Sequence, residues 1–167
     1  MAPWGEIAAG WDSAAADEAL ALAMYPMLRR FAAVVAPVEV APDDLVQEAF
    51  VAVLRRGALS SFDDPGAYVR RTMLNLAANH RRRFVRPRRA LRRVLGGAMT
   101  DAWDAYPSDL ADLSTLRPVA RAVLFLHDVE GMPFDVIAER LALPASTVRQ
   151  VATRARRQLR IQLEEGS

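Results

Sequence analysis

The stretch from Phe134 to Arg160 leaves a chain like this the fewest ways to fold, because it reads position by position as two helices joined by a tight turn. Phe134-Asp135-Val136-Ile137-Ala138-Glu139-Arg140-Leu141 is the predicted first helix, Ala142-Leu143-Pro144 the turn, and Ala145 to Arg160 the second helix. Two helices crossing so closely need a small residue at the contact, which Ala138 supplies. They also need apolar facing sides, where Ile137, Leu141, Leu143, Val148 and Val151 fall. Ser146-Thr147 stands at the head of the second helix, where hydroxyls can satisfy free backbone N–H groups. The inner stripe continues through Ala152, Ala155 and Leu159. The other face carries Arg149, Gln150, Thr153, Arg154, Arg156, Arg157 and Arg160, with no acid before Glu164. Such a helix fits the major groove of duplex DNA, its first turns at base edges and its later arginines near phosphates. Ala142 stands where the turn favours glycine, because a positive φ is expected there at a cost to alanine of roughly 1 kcal/mol.

Charge along the rest of the chain is segregated. Residues 1–66 hold four Arg and ten acids, residues 67–100 hold ten Arg and no acid, and residues 101–167 hold eight Arg and ten acids. A net charge of only +2 hides that contrast. An acidic start and an intensely basic middle point to two kinds of partner, one of them a polyanion. Cysteine is absent, which rules out disulfides and thiolate metal sites, and the two histidines, His80 and His127, lie far apart in sequence. No metal site and no cofactor are expected. The N-terminus has no basic n-region, and no run approaches the roughly 18–20 apolar residues that span a bilayer. A cytoplasmic protein without membrane insertion is expected.

Alanine-rich helical periodicity dominates and β-branched alternation is nearly absent, so the expected class is all-α. A first helix begins near Ser13, runs through Leu20, Met24, Met27, Leu28 and Phe31, and fades at Pro37. A second starts after Pro42-Asp43 and ends at Arg56-Gly57. A third runs from Gly66 to Phe84 with an inward stripe of Val69, Met73, Leu76, Ala77, His80 and Phe84, and carries a basic tail, Arg86 to Arg93, before a break at Gly96-Gly97. Helical pattern returns at Asp109, and a helix starting at Arg117-Pro118 closes at Gly131. The chain therefore divides into two small helical domains, 1–93 and 109–167, joined by a flexible linker at 94–108. The second domain contains the helix-turn-helix.

Two further constellations stand out. In Asp43-Asp44-Leu45-Val46-Gln47-Glu48-Ala49-Phe50, one apolar stripe (Leu45, Val46, Ala49, Phe50, with Val53) leaves Asp44, Gln47 and Glu48 projecting as a compact polar patch. By itself such a patch also suits a solvated helix start, where acids are favourable. From Tyr68 to Arg83, Arg71, Asn75, Asn79 and Arg82 recur on one helical side, joined by Arg70, His80, Arg81 and Arg83. Asn can bond base edges, Arg can hold phosphates, and Tyr68 can stack on an unpaired base. His80, on the inner edge, suits a packed or hydrogen-bonded role better than a base contact.

The order of polar patch, basic Asn-bearing helix, linker and helix-turn-helix resembles bacterial RNA polymerase sigma factors of the extracytoplasmic-function type. The matching text is Asp44 to Phe50, Pro65 to Arg71 leading to Asn75-Leu76-Ala77, Leu116 to Val123, Ile137 to Leu141, and Thr147-Val148-Arg149 with Arg154-Ala155-Arg156. The likeness covers residues 13–93 and 109–163. It implies that Asp44, Gln47 and Glu48 dock on core RNA polymerase, and that Tyr68, Arg70, Arg71, Asn75, Asn79, Arg81 and Arg82 take the separated −10 strand of promoter DNA. It implies that Ser146, Thr147, Arg149, Gln150, Thr153, Arg154, Arg156 and Arg157 read the −35 duplex. An anti-sigma factor becomes a plausible further partner. The chain departs from the family's common pattern at Tyr68, where Trp is frequent, at Asn79, where Asp is frequent, and at Ser146, where Gly is frequent.

Two other readings remain at this stage. A stand-alone helix-turn-helix regulator acting as a dimer would leave the 43–50 patch and the Arg/Asn helix without a task. A helical adaptor that sequesters a protein partner would show no promoter dependence. An enzyme has no support, for no nucleophile–base pair or phosphate loop is legible.

Overall fold

The computed structural model describes the backbone of residues 4–95 and 112–165, and side chains for 14–83, 113 and 115–164. Helix α1 spans Trp4–Val35, α2 Pro42–Leu54 and α3 Pro65–Leu95, with a 3₁₀ turn at Leu59–Ser61 between the last two. After a 3₁₀ turn at Asp112–Thr115 come α4 (Pro118–Leu124), a π-helical turn (Phe125–Val129), α5 (Phe134–Leu141) and α6 (Ala145–Glu165). Among the described residues there is no strand, and no helix is long and apolar enough to cross a membrane.

Most helix ends follow local chemistry. Pro42 and Pro118 each sit in the first turn of their helix, where a missing N–H is harmless. Asp64 Oδ1 accepts the Ala67 N–H at 2.8 Å and so caps α3. Three helices run further than periodicity predicts. α1 begins at Trp4 and passes through Pro26. A proline inside a helix costs about 3 kcal/mol; here Leu28, Phe31, Ala32 and Val35, all fully buried just beyond it, offset that cost by packing. α3 continues through the basic stretch and past Pro87 to Leu95, the Arg, Ala and Leu residues around that proline being strong helix formers. α6 extends past Arg160 to Glu165. Of the expected linker, residues 96–108 lie outside the described ones, as does the side chain of Phe84.

The core is continuous across the two halves. Leu28, Phe31, Val35, Leu45, Val46, Val53, Val69 and Met73 from the first half join Val123, Phe125, Leu126, Ile137 and Val148 from the second in one buried cluster. Phe31 meets Phe125 edge to face, with centroids 6.3 Å apart. A smaller cluster of Leu116, Ala120, Leu124 and Ala155 belongs to the second half alone. Arg121, 3% exposed, donates Nη2 to the Val35 carbonyl at 2.9 Å and Nη1 to the Ala36 carbonyl at 3.2 Å. These carbonyls at the end of α1 lack intrahelical donors, and a buried guanidinium from α4 satisfies them.

Candidate nucleic-acid and polymerase interfaces

On α2 the apolar stripe behaves as expected: Leu45, Val46, Ala49 and Val53 are buried, and Asp44, Gln47 and Glu48 are exposed on the other side. The neighbouring Asp43 is not part of that patch. It accepts hydrogen bonds from the Tyr25 hydroxyl and from Arg29 Nε, the latter at 2.8 Å, which ties α2 back onto α1. The Tyr25 hydrogen bond first, and Arg29 after it, hold the Asp43 carboxyl below its usual range. Glu48 Oε2 lies 2.7 Å from His80 Nε2, so the patch is braced from α3 by the histidine assigned to a hydrogen-bonded role.

Helix α3 divides its polar residues between two faces. Asn75, Asn79 and Arg82 are exposed, and Arg82 Nη2 donates to Asn79 Oδ1 at 2.5 Å. Arg71 is half-buried on the same side, its guanidinium 5.4 Å from the Tyr68 ring centroid. Tyr68 is itself stacked on Phe62 at 4.2 Å, and its hydroxyl accepts from Arg56 Nη1 at 2.9 Å. Phe62, Tyr68 and Arg71 thus form a layered platform at the head of the helix, with one wall of an approximately 470 Å³ cleft. Val136, Glu139 and Arg140 of α5 make the opposite wall.

Arg70 and Arg81 face the other way. Arg70 is 2% exposed, lies 5.4 Å from the Phe31 ring centroid, and donates Nη2 to both carboxylate oxygens of Glu130 at 3.1 Å. Burial lowers its pKa from the ordinary value, and the Glu130 charge opposes that shift. Arg81 Nη1 reaches the Leu116 carbonyl at 3.4 Å. In this conformation the seven residues assigned to the −10 strand do not share one surface. Five stand on or beside the outer face, and Arg70 and Arg81 contact the second half.

The helix-turn-helix matches its expected register. Ala142 adopts φ 53° and ψ 49°, the left-handed conformation predicted for that position. The turn closes through Leu143 N–H to the Ala138 carbonyl at 2.9 Å and Ala142 N–H to Glu139 at 3.1 Å. Ala138, Ile137, Leu141 and Val148 are buried, as are Ala152 and Ala155 further along α6. Ser146, Arg149, Gln150, Thr153, Arg154, Arg156 and Arg157 are exposed, and Thr147 is half-buried. Arg149 Nη2 lies 2.7 Å from Asp135 Oδ1, and Arg156 Nη2 lies 2.5 Å from Asp128 Oδ1. Those exposed pairs orient the arginines without removing them from solvent.

Sequence reasoning passed over Glu130, Arg121, Asp135 and Asp128. Arg121 carried a signal: it interrupts the apolar run Val119 to Leu126 of a buried helix, and a charge there needs a partner. Glu130 carried none, because its partner lies 60 positions away.

An exposed polar patch on α2, an Arg/Asn face on α3 and a helix-turn-helix with an arginine-lined outer face stand on one all-helical chain, the class of a protein with two candidate polyanion-binding regions. The family described as Sigma-70 region 2 matches residues 20–86, and that described as Sigma-70, region 4 matches residues 113–159. The chain is 32% identical over 133 residues to the probable ECF RNA polymerase sigma factor SigI of two Mycobacterium tuberculosis strains, covering 70% of this chain and 45% of the relative. It therefore spans less than half the length of these curated relatives. In fold it is similar to the sigma factor RpoE of Bartonella quintana, solved with the anti-sigma factor NepR, with a TM-score of 0.57 and 19% identity over 88% of this chain and 96% of that one. The chain belongs to the sigma-70 family, in the extracytoplasmic-function type.

Proposed function

We propose that this protein is a promoter-specificity subunit: it binds core RNA polymerase and directs initiation at promoters carrying −10 and −35 elements. The observation that carries the reading is the pairing of regions 2 and 4 on one chain with their outer polar faces open, Asn75, Asn79 and Arg82 on α3 and Ser146 to Arg157 on α6. Asp44, Gln47 and Glu48 dock on the polymerase. The α3 face and the Phe62–Tyr68–Arg71 platform receive the separated −10 strand, with the tyrosine ring as a stacking surface and the asparagines as base-edge partners. The first turns of α6 read the −35 duplex, and Arg154, Arg156 and Arg157 grip phosphates. Phosphodiester chemistry belongs to the polymerase, so the chain acts without catalysis of its own, and it works in the cytoplasm. An anti-sigma factor is a fitting regulator, since the RpoE relative was solved bound to one.

The test is run-off transcription with core polymerase on promoter templates, with and without this protein. Transcripts that depend on both sigma and promoter are expected. A footprint on duplex DNA obtained equally well without polymerase, and no transcript with it, would favour a stand-alone regulator.

A further inference from the structure

The packed arrangement and the proposed function make conflicting demands on the same molecule. Elements named −10 and −35 lie about 25 base pairs apart, roughly 85 Å at 3.4 Å per base pair. The longest helix, α1 with 32 residues, is about 48 Å long at 1.5 Å per residue, so the packed halves fall well short of that span. The two regions therefore cannot reach both elements while Phe31 is seated on Phe125 and Arg121 caps α1. Something must hold the halves together in the free protein and release them on DNA.

The contact at Arg70 has the features of a releasable hold. Of the two ion pairs between the halves among the described residues, Arg140–Asp64 is exposed, whereas this one pairs a buried guanidinium with a half-buried carboxylate and engages a side chain of the strand-binding helix. Both Glu130 oxygens share the single nitrogen Nη2, so the pair lacks the two parallel bonds of a fork-to-fork arginine–carboxylate contact. Arg70 Nε is buried with no acceptor. The guanidinium is thus incompletely satisfied where it sits, and a phosphodiester meeting it side-on can accept from two of its nitrogens at once through its two non-bridging oxygens. Local backbone sets up the meeting: the π-helical turn closes through Glu130 N–H to the Phe125 carbonyl at 3.0 Å, and Gly131 at φ +69° turns the chain directly after it.

We propose that Glu130 is an internal stand-in for a DNA phosphate: it holds Arg70 in a packed resting form, and it yields Arg70 to the promoter strand when the halves separate. The proposal rests on the sigma-factor reading and adds to it a resting state in which α3 is short of one of its cations. Competition is direct, because a guanidinium that is 2% exposed, held between Phe31 and Glu130, is closed to a strand in solvent.

The chain has no cysteine, so a dye pair at Leu22→Cys and Glu164→Cys, both exposed positions, reports the separation of the halves by energy transfer. The free protein is expected to show high transfer. Glu130→Arg, facing Arg70, should shift the packed-to-separated ratio by about tenfold or more, and Glu130→Gln should shift it less, with helicity by circular dichroism unchanged in both. The charge-swapped Arg70→Glu/Glu130→Arg protein separates the two roles: high transfer should return, while permanganate-detected promoter opening with core polymerase should not. Wild-type transfer in both Glu130 variants, or full promoter opening by the swapped protein, would overturn the proposal. Loss of sigma-dependent transcription by the unmodified protein would instead overturn the functional reading beneath it.

Discussion

α3 and α6 are both arginine-rich helices with an apolar inner stripe, yet they dispose of their charge differently. On α6 the arginines assigned to DNA lie on one solvent face, and the inner stripe is small and uncharged: Val148, Ala152 and Ala155. On α3 the charge runs round the helix, so Arg70 and Arg81 turn inward beside Met73 and Ala77 and require partners there. A helix that packs on one side can be a pure reading surface. One that packs against both its own half and its neighbour must place some cations in the contact, and those become part of the molecule's internal balance. Arginine count therefore says little about DNA contact until burial is known.

The sharpest way to break this comparison is to remove one arginine of each kind. Arg70→Ala leaves Glu130 without its cation and is predicted to destabilise the fold by about 3 kcal/mol. Arg157→Ala, on the solvent face, should change stability by no more than about 0.5 kcal/mol. Urea denaturation of both variants decides it, and equal losses would mean that burial does not separate the two helices.

On the outer face of α3, Asn75 and Asn79 are exposed and point away from the core. Asn75→Ala combined with Asn79→Ala is predicted to leave holoenzyme assembly intact while reducing promoter opening about tenfold or more, as expected from the loss of two base-edge contacts at roughly 1–3 kcal/mol each. Permanganate reactivity of unpaired thymines measures it. Wild-type reactivity would move strand reading elsewhere.

Within α6 the comparison can be refined further. Arg149→Ala should relax preference at particular −35 positions by roughly 1–3 kcal/mol, whereas Arg157→Ala should weaken all sequences alike and lower the salt slope by about one. Holoenzyme binding to single-base −35 variants at two salt concentrations tells them apart. Uniform weakening in both variants would show that reading and gripping are not divided along the helix.

The smallest effect concerns the turn that sets α6 in place. Ala142 sits at φ 53°, where glycine is free of the Cβ penalty. Ala142→Gly is predicted to raise stability by up to about 1 kcal/mol. A lower melting temperature in the variant would show that the Ala142 side chain packs more usefully than its exposure suggests.

Acid sensitivity follows from Asp43, whose pKa the Tyr25 hydrogen bond and Arg29 depress in the folded state. Its contribution is complete above the ordinary aspartate range near pH 4 and fades as pH falls through the depressed folded value. Asp43→Asn should flatten the stability–pH curve of the chain in that acid window alone; a curve unchanged there would remove Asp43 from the account.

Local pattern carried most of the secondary structure. The helix-turn-helix from Phe134, the left-handed Ala142, the α2 stripe and the exposure of Asp44, Gln47 and Glu48 were all legible, because a period of 3.6 and a turn residue depend on near neighbours alone. The lengths of α1 and α3 were not, since each helix runs on through an internal proline, Pro26 in α1 and Pro87 in α3, against local punctuation. Nor was the partition of α3: Arg70 and Arg71 are adjacent in sequence, and only packing shows that one reaches Glu130 and the other stacks near Tyr68. The sequence by itself determined an all-helical chain with a polar patch on α2, an Arg/Asn face on α3 and a helix-turn-helix whose second helix exposes its arginines, in that order, because those are properties of single helices. Tertiary structure alone decided that the halves share one core and that Arg70 and Arg121 join them, because a contact between residues 60 or 86 positions apart leaves no trace in the periodicity of either segment.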